Sequence, residues 1–305
     1  MIRFSVIIPT YNRAALLREA LESVFKQDFG NFEVIVVDDG SVDATDETLR
    51  AFAGKIRCLF QKNRGPGAAR NFGAARAQGK YLAFLDSDDL FFPWSLRVYD
   101  DLIRTHRAPA FIAGKPKVFR ESSELPSSQP VPTSVNAFSD YLASGDQWRW
   151  WGVSSFVIRR DQFLVGKGFT NEPINGEDAD LALRLGTAPG FVQVTGPETF
   201  AYRQHDSNVV KNLARNVQGA RYLMVQEQNG AYPGRNQRAH ERWQILTRHA
   251  KPASVEGVRC GLLPDAWWLY RQMVRWNMVL GHWKYLVGFP ILALSAGTRG
   301  HSKSV

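Results

Sequence analysis

Cysteine is scarce in this sequence, and a secretory leader is not recognisable. The 305 residues include two cysteines, Cys58 and Cys260, which lie far apart and in no spacing typical of a metal site. A disulfide framework is therefore excluded, and the pair fits a reducing compartment. The first residues, MIRFSVIIPTYNR, turn polar before they reach the length of a signal-peptide core. We therefore expect an unexported, cytoplasmic protein.

Glycine is absent from the turn after the first apolar run. That turn reads PTYNRAALL over residues 9–17, whereas a nicotinamide-binding fold needs G-x-G-x-x-G between its first strand and helix. Gly65 and Gly67 follow the third predicted strand instead, and an isolated glycine pair is a weak signal. The sequence therefore argues against a nicotinamide-dependent dehydrogenase. PTYNR is equally unlike the Gly-rich, basic first loop of a nucleotidyltransferase.

Apolar runs alternate with helical patterns through the first third of the chain. Strands are predicted at residues 4–11, 32–40, 56–62 and 81–87. Apolar residues with helical spacing lie between them, which predicts an α/β fold with a Rossmann-like, mostly parallel sheet flanked by helices. Ligands of such sheets bind beyond the carboxyl ends of the strands. Residues 9–12, 38–41 and 86–89 should therefore lie along one edge.

Three carboxylates, Asp86, Asp88 and Asp89, end the fourth predicted strand. One interpretation is an acidic turn that caps the following helix, since Asp is favoured there. That interpretation accounts for one or two of the three. Three carboxylates within four residues repel one another unless a cation or a donor-rich ligand lies among them. The residues alone leave both interpretations open.

Further stretches accompany this acidic one. Four occur in order: FSVIIPTYNR (4–13), VVDDGSVDAT (36–45), GPGAARNFGAARAQGKYLAFLDSDD (65–89) and GEDADLALRL (176–185). Together they resemble the family 2 glycosyltransferases of the GT-A fold, and the resemblance covers residues 3–205. It implies a GT-A nucleotide-sugar-binding and catalytic domain at residues 1–205. A basic, Trp-rich helical region is left at residues 206–305.

The resemblance also implies an activity. It is the inverting transfer of a sugar from a nucleotide-diphosphate sugar, expected to be a UDP-sugar, to an acceptor hydroxyl, with Mn²⁺ or Mg²⁺ as the cofactor. The acceptor would be a glycan or a lipid-linked sugar in polysaccharide or glycolipid synthesis. The alternative is a catalytically inactive GT-A protein that binds nucleotide sugars or acts as a membrane-associated scaffold. The intact acidic stretches favour the enzyme.

The resemblance assigns the donor to residues near the first three strands. By resemblance Asp39 holds the base, as a carboxylate can accept the N–H of uracil, and Tyr11 can stack on that base. Pro9 belongs to the same donor-binding stretch. The alternative for Asp39 is that it simply begins a turn, which Asp-Gly pairs commonly do. Arg70, in the family's ARN triplet, would pair with donor phosphate as a planar fork, and Arg64 is the rival candidate.

The stretch DSD at residues 86–88 resembles the family's DxD motif. Oxygen ligands suit Mg²⁺ and Mn²⁺, which bind through one or two carboxylates and the donor phosphates. The resemblance makes Asp88 the direct ligand, with Asp86 facing the ribose or reaching the cation through water. Asp89 is expected to cap the helix that begins near Pro93.

The acceptor side is assigned to GEDADLALRL. By resemblance Asp178 is the general base that deprotonates the acceptor hydroxyl, and Glu177 orients the acceptor or Asp178. Asp180 is expected to face solvent. Any helix prefers acids in its first turn, which is the alternative explanation. His205 lies where the family often carries a histidine near the diphosphate and cation, although a lone histidine is usually an ordinary surface or core residue.

Two further segments are candidates for the surroundings of the site. Trp148, Trp150 and Trp151 can form the floor under an acceptor sugar or lipid, because aromatic faces suit the C–H faces of sugars; they can equally be core residues. Residues 121–134, ESSELPSSQPVPTS, are rich in Ser and Pro and are predicted to be a loop beside the site.

The final third of the chain is basic and rich in tryptophan. Residues 201–305 carry 15 Lys and Arg against 5 Asp and Glu. Tryptophans interleave with Arg and Lys over residues 263–297, which fits a helix in a membrane interface. The uncharged run 285–298 is too short and too broken by Gly and Pro to span a bilayer. We therefore expect an anionic membrane surface as partner, not nucleic acid, and a peripheral position on the inner face of the cell membrane. The alternatives are a helix packed on the catalytic domain or a dimer contact.

Overall fold

The first strand, FSVIIPT, is buried along its whole length, as expected of a central strand in a parallel sheet covered on both faces. This computed structural model describes residues 1–126, 128, 131–145, 147, 152–205 and 212–300. The chain divides into two units. Residues 1–143, 148–171 and 187–205 form the first unit, and residues 144–147, 172–186 and 206–305 form the second.

The first unit is built on two sheets. The strands are β1 (Phe4–Thr10), β2 (Phe32–Asp38), β3 (Arg57–Phe60), β4 (Tyr81–Phe84), β5 (Leu90–Phe91), β6 (Phe111–Ala113), β7 (Pro116–Phe119), β8 (Ser134–Phe138), β9 (Phe156–Arg159), β10 (Phe191–Gly196) and β11 (Phe200–Arg203). The larger sheet has the order β3-β2-β1-β4-β9-β6-β10-β8, and the smaller one β5-β11-β7. β1 to β4 are parallel, whereas β9 is antiparallel to both β4 and β6.

The register brings the carboxyl ends of three strands to one edge. Thr10 of β1 pairs with Asp38 of β2, and Ile7 of β1 pairs with Phe84 of β4. The polar residues that follow each strand therefore emerge side by side, which is where parallel sheets bind ligands. This confirms the prediction of a mostly parallel sheet flanked by helices.

Helices cover the larger sheet. Those of the first unit are α1 (Ala14–Val24), α2 (Thr45–Ala51), α3 (Pro66–Ala74), α4 (Ser95–Thr105) and α5 (Arg160–Val165). Leu17 and Leu21 of α1 are fully buried with Val6, Ile8 and Val34 of the sheet in the main core cluster. Their spacing of four along α1 puts both leucines on one helix face.

The second unit is helical in the residues described. Its helices are α6 (Glu177–Arg184), α7 (Leu213–Gln228), α8 (Ala239–Arg259), α9 (Leu263–Val279) and α10 (Trp283–Gly300). Val258 of α8, Ala266 of α9 and Phe289 of α10 share one core cluster, so the three helices pack together. The predicted helical character of the C-terminal region is confirmed. Within the described residues, none of the helices combines the length and the apolar character that crossing a membrane requires.

Candidate active site

An acidic cluster follows the end of β4. One oxygen from each of Asp86, Asp88 and Asp89 lies within 4.8 Å of the other two. Asp88 and Asp89 are buried, and Asp86 is partly exposed. Carboxylate oxygens at this spacing are the donor set that Mg²⁺ and Mn²⁺ prefer. The residues present therefore fit a divalent cation.

Arginine and histidine side chains contact the carboxylates of Asp86 and Asp88. Arg70 Nη2 lies 2.5 Å from Oδ1 of Asp86. His205 Nε2 lies 2.9 Å from Oδ2 of Asp88, and Arg13 Nη1 contacts the same oxygen. The structure thus brings together four of the candidate residues named from the sequence: Arg70, Asp86, Asp88 and His205. Arg13 was not predicted, although it ends the first of the four motif stretches.

Asp89 has a role inside the cluster, and the prediction that it caps the next helix is wrong. α4 begins at Ser95 after Trp94, with no side-chain capping bond, because β5 intervenes. Asp89 Oδ2 accepts a hydrogen bond from Ser154 Oγ at 2.6 Å, and Oδ1 accepts one from Arg203 N at 3.0 Å. Burial, followed by the charges of Asp88 and Asp86, raises the pKa of Asp89 well above its usual value.

Arg203 is a second residue that sequence reasoning missed. Its Nε donates to the carbonyl of Asp88 at 3.0 Å, and its Nη2 lies 2.5 Å from Oε2 of Glu19. The guanidinium also lies 4.7 Å from the ring centre of Phe119. The available signal was its position two residues before His205. Arg203 holds the backbone of the acidic turn in place.

Arg70 is carried by α3, which approaches the sheet closely. A Cβ on Gly73 would lie 2.8 Å from Ile7 Cγ2 and 3.1 Å from Val37 Cγ2, so only glycine allows this packing. The Arg70 guanidinium, itself buried, lies 5.3 Å from the ring centre of Phe169. A buried cation held between a ring and a carboxylate has little rotamer freedom. Arg70 is therefore preorganised beside Asp86.

Asp39 lies at the end of β2 and organises the loop before α3. Its Oδ1 accepts hydrogen bonds from Gln61 Nε2 at 2.7 Å and from Arg64 N at 2.9 Å. Its Oδ2 accepts one from Gly65 N at 2.8 Å. A carboxylate offers about four acceptor sites, so capacity for one further N–H remains. Asp38 makes the turn itself, because its Oδ1 accepts from Ser41 N at 2.9 Å.

The turns after β1 and β2 are joined through Asn12. Its backbone N–H donates to Ser41 Oγ at 2.9 Å, and its side-chain oxygen accepts from Val42 N at 2.8 Å. Beside this junction Tyr11 is 46% exposed, whereas Pro9 is buried in β1. The structure therefore places Pro9, Tyr11 and Asp39 at neighbouring strand ends.

Glu177 and Asp178 belong to the second unit, in the first turn of α6. Both are partly buried. Asp178 Oδ1 accepts from Ala179 N at 2.8 Å, and the helix begins after Gly176, which has a left-handed φ of 96°. This bond ties the Asp178 carboxylate to the backbone at the start of α6.

The sequence predicted that Asp180 faces solvent, and this prediction is wrong. Asp180 is 1% exposed, and its Oδ2 accepts from Arg184 Nε at 3.0 Å and Nη2 at 2.6 Å. Tyr232 donates its hydroxyl to Asp180 Oδ1 at 3.1 Å. Burial and the Asp180 charge raise the pKa of Tyr232, so the phenol stays a donor. Asp180 is therefore a structural residue.

Two predictions fall wholly or partly outside the described residues. Trp148, Trp150 and Trp151 lie outside them, so their role as an acceptor floor stays a prediction. The loop at 121–134 is described in part, and its residues 122–124 form a short 3₁₀ turn.

A family model and several known proteins match this chain. The model described as glycosyl transferase family 2 matches residues 5–162. A protein of Nostoc sp., named as an uncharacterized glycosyltransferase, is 31% identical over 68% of this chain and 66% of its own length. An uncharacterized glycosyltransferase of Rickettsia felis is 53% identical over 93 residues, which are 30% of this chain and 15% of the rickettsial protein. The chain thus spans a small part of that relative.

Solved structures share the fold. Residues 1–349 of S. aureus TarS in complex with UDP-GlcNAc match with a TM-score of 0.75 at 20% identity, over 97% of this chain and 89% of the TarS chain. The mannosyltransferase PcManGT from Pyrobaculum calidifontis, in complex with GDP-Man and Mn²⁺, matches with a TM-score of 0.50 at 19% identity, over 96% and 87% of the two chains. These matches show a GT-A architecture.

Proposed function

Because this chain belongs to glycosyl transferase family 2, we propose that it transfers a sugar from a UDP-sugar to an acceptor hydroxyl with inversion at the anomeric carbon. The observation that carries the proposal is the cluster of Asp86, Asp88 and Asp89, with Arg70 and His205 against its outer carboxylates. The UDP-GlcNAc held by the TarS neighbour supports UDP as the nucleotide.

Asp86 and Asp88 would hold Mn²⁺ or Mg²⁺, and PcManGT with its Mn²⁺ supports that choice. When bound, the cation supplies charge neutralisation for the departing nucleotide diphosphate. Arg13 and His205 both contact Oδ2 of Asp88 and so orient that carboxylate. Arg70 is positioned to add a second positive charge near the diphosphate.

The nucleoside would lie at the ends of β1 and β2. Asp39 has capacity to accept the N–H of uracil, and exposed Tyr11 offers its ring for stacking, with Pro9 shaping the strand end. On the acceptor side we assign Asp178 as the general base and Glu177 as the group that orients it. General-base catalysis contributes roughly 10²–10⁴-fold to such reactions.

The acceptor we propose is a glycan or lipid-linked sugar at the inner face of the cell membrane. Four large apolar residues form a stripe on α10 with spacings of four, four and three: Trp283, Val287, Ile291 and Leu294, exposed by 58, 64, 64 and 66%. α10 contains no acidic residue, so the stripe suits an anionic lipid surface.

The donor site is tested by calorimetric titration of the protein with UDP, with and without Mn²⁺. We expect the parent to bind UDP only when Mn²⁺ is present. Asp88→Ala should abolish this binding. Asp101→Ala removes an exposed carboxylate of α4 and should bind as the parent does. If Asp88→Ala binds UDP with the same Mn²⁺ dependence as the parent, the acidic cluster is not the donor site.

Membrane contact is tested by co-sedimentation with vesicles that contain or lack anionic lipid. Ile291→Asp should lower sedimentation with the anionic vesicles. Val165→Asp is the matched control, because Val165 is 75% exposed but lies in the first unit. Equal sedimentation of both variants would remove α10 as the contact.

A further inference from the structure

The second unit contains a cavity of about 690 Å³ that none of the assigned roles uses. One wall is a face of α8, and the other is formed by the turn between α9 and α10 and the start of α10. A space of this size accommodates a small polar ligand. It contains none of the residues of the acidic cluster.

The α8 wall is cationic. Arg248, Lys251 and Arg259 line the cavity, and Glu256 is the carboxylate beside them. Their spacing of three and eight residues puts the three cations along one face of the helix. Cations gathered in a concave site focus a positive potential and raise the local concentration of anions. The surplus of Lys and Arg in residues 201–305 reinforces that potential.

The opposite wall adds fixed polar groups. Lys251 Nζ lies 3.1 Å from Nδ1 of His282, and this Nδ1 is 2.8 Å from Oδ1 of Asn277. The hydroxyl of Tyr285 lies 2.8 Å from Oγ of Ser254. The bond between Ser254 and Tyr285 links α8 to α10, and the Lys251–His282 contact links α8 to the turn before α10.

We propose that this cavity binds a phosphate or pyrophosphate group. Several cations around one site suit a multiply charged oxyanion better than a single carboxylate, and the exposed guanidinium of Arg259 can bind two phosphate oxygens. The group can belong to a soluble phosphate compound or to a phospholipid headgroup. The inference does not depend on the transfer activity, because it uses different residues.

The test is calorimetric titration of the full chain with inorganic pyrophosphate in the presence of EDTA, which keeps cations away from the acidic cluster. The parent should bind, and Lys251→Gln and Arg259→Gln should each raise the dissociation constant about tenfold, as loss of one charge-assisted contact predicts. Arg259 is exposed, so its variant should fold normally. Arg275→Gln removes an exposed cation of α9 that does not line the cavity and should bind as the parent does.

A parallel arm identifies the source of the phosphate. Vesicles of phosphatidylcholine with phosphatidic acid are compared with phosphatidylcholine alone. If the parent protein is retained on the vesicles with phosphatidic acid and Lys251→Gln is not, the site binds a lipid headgroup. If the parent binds pyrophosphate but is not retained on these vesicles, the site binds a soluble phosphate compound. Absence of pyrophosphate binding, or binding that Lys251→Gln and Arg275→Gln weaken equally, would overturn the inference. Mn²⁺-dependent UDP binding, measured separately, shows whether the donor site fails with it.

Discussion

The buried ion pair of α6 allows a sharp comparison within one chain. Asp180→Ala removes the carboxylate that pairs with Arg184 and accepts the hydroxyl of Tyr232. Asp180 and Arg184 are 1% and 16% exposed, so the variant leaves a largely desolvated guanidinium and a buried phenol without this acceptor. Removing one partner of a buried pair typically destabilises a protein by about 3–5 kcal/mol. We expect that loss in the free energy of unfolding.

Asp46→Ala is the matched control. Asp46 pairs with Arg50 of α2 at the same i,i+4 spacing, but the two side chains are 55% and 76% exposed. An exposed pair of this kind contributes about 0.3–0.5 kcal/mol. Urea unfolding followed by circular dichroism should therefore separate the variants by roughly 3 kcal/mol. Equal unfolding free energies for Asp180→Ala and Asp46→Ala would refute the burial argument.

Three further predictions concern the second unit. Asp178→Asn should lower the transfer rate by about 10²–10⁴-fold while UDP affinity stays unchanged; an unaltered rate would exclude Asp178 as the base. Gly219→Ala should lower the melting temperature, because the new Cβ would collide with the carbonyl of Asn175 just before α6. A melting temperature equal to the parent's would contradict this. Burial, with the nearby charge of Arg248, lowers the pKa of His249 from 6.5 to about 3, so unfolding takes up a proton below pH 6.5. The free energy of unfolding should fall by about 1.4 kcal/mol per pH unit from there toward about pH 4. His249→Asn should reduce this dependence of the urea midpoint on pH. An unchanged dependence in the variant would contradict the role of His249.

The strands that could be predicted are those with long apolar runs. β1 and β2 are seven residues each, enough for burial on both faces to show in the sequence. β5 has two residues and pairs with β11, whose partner residues lie more than a hundred positions later. Such short strands carry no periodicity and depend on tertiary pairing. The smaller sheet was therefore not foreseen.

The candidate site divides in the same way. Asp86 and Asp88 are close in sequence, so their grouping could be predicted from spacing. Arg13 lies 75 positions from Asp88, and Arg203 lies 115 positions from it, so no local pattern links them. The wrong prediction that Asp180 is exposed has a similar cause, because its hydrogen-bond partner Tyr232 lies 52 positions away. Sequence spacing therefore predicts the carboxylates of the acidic cluster, whereas the side chains that contact them are brought there by the tertiary fold.

The division of the chain into units that are not continuous in sequence affects how this protein can be recombined with its relatives. Residues 172–186 belong with the C-terminal helices: Asn175 Nδ2 donates to Asn216 Oδ1 at 2.6 Å, in addition to the bond between Tyr232 and Asp180. A chimera joined at residue 205 would inherit α6 from one parent and the helices that support it from another. Crossovers that move residues 172–186 together with 206–305 would keep these partners matched.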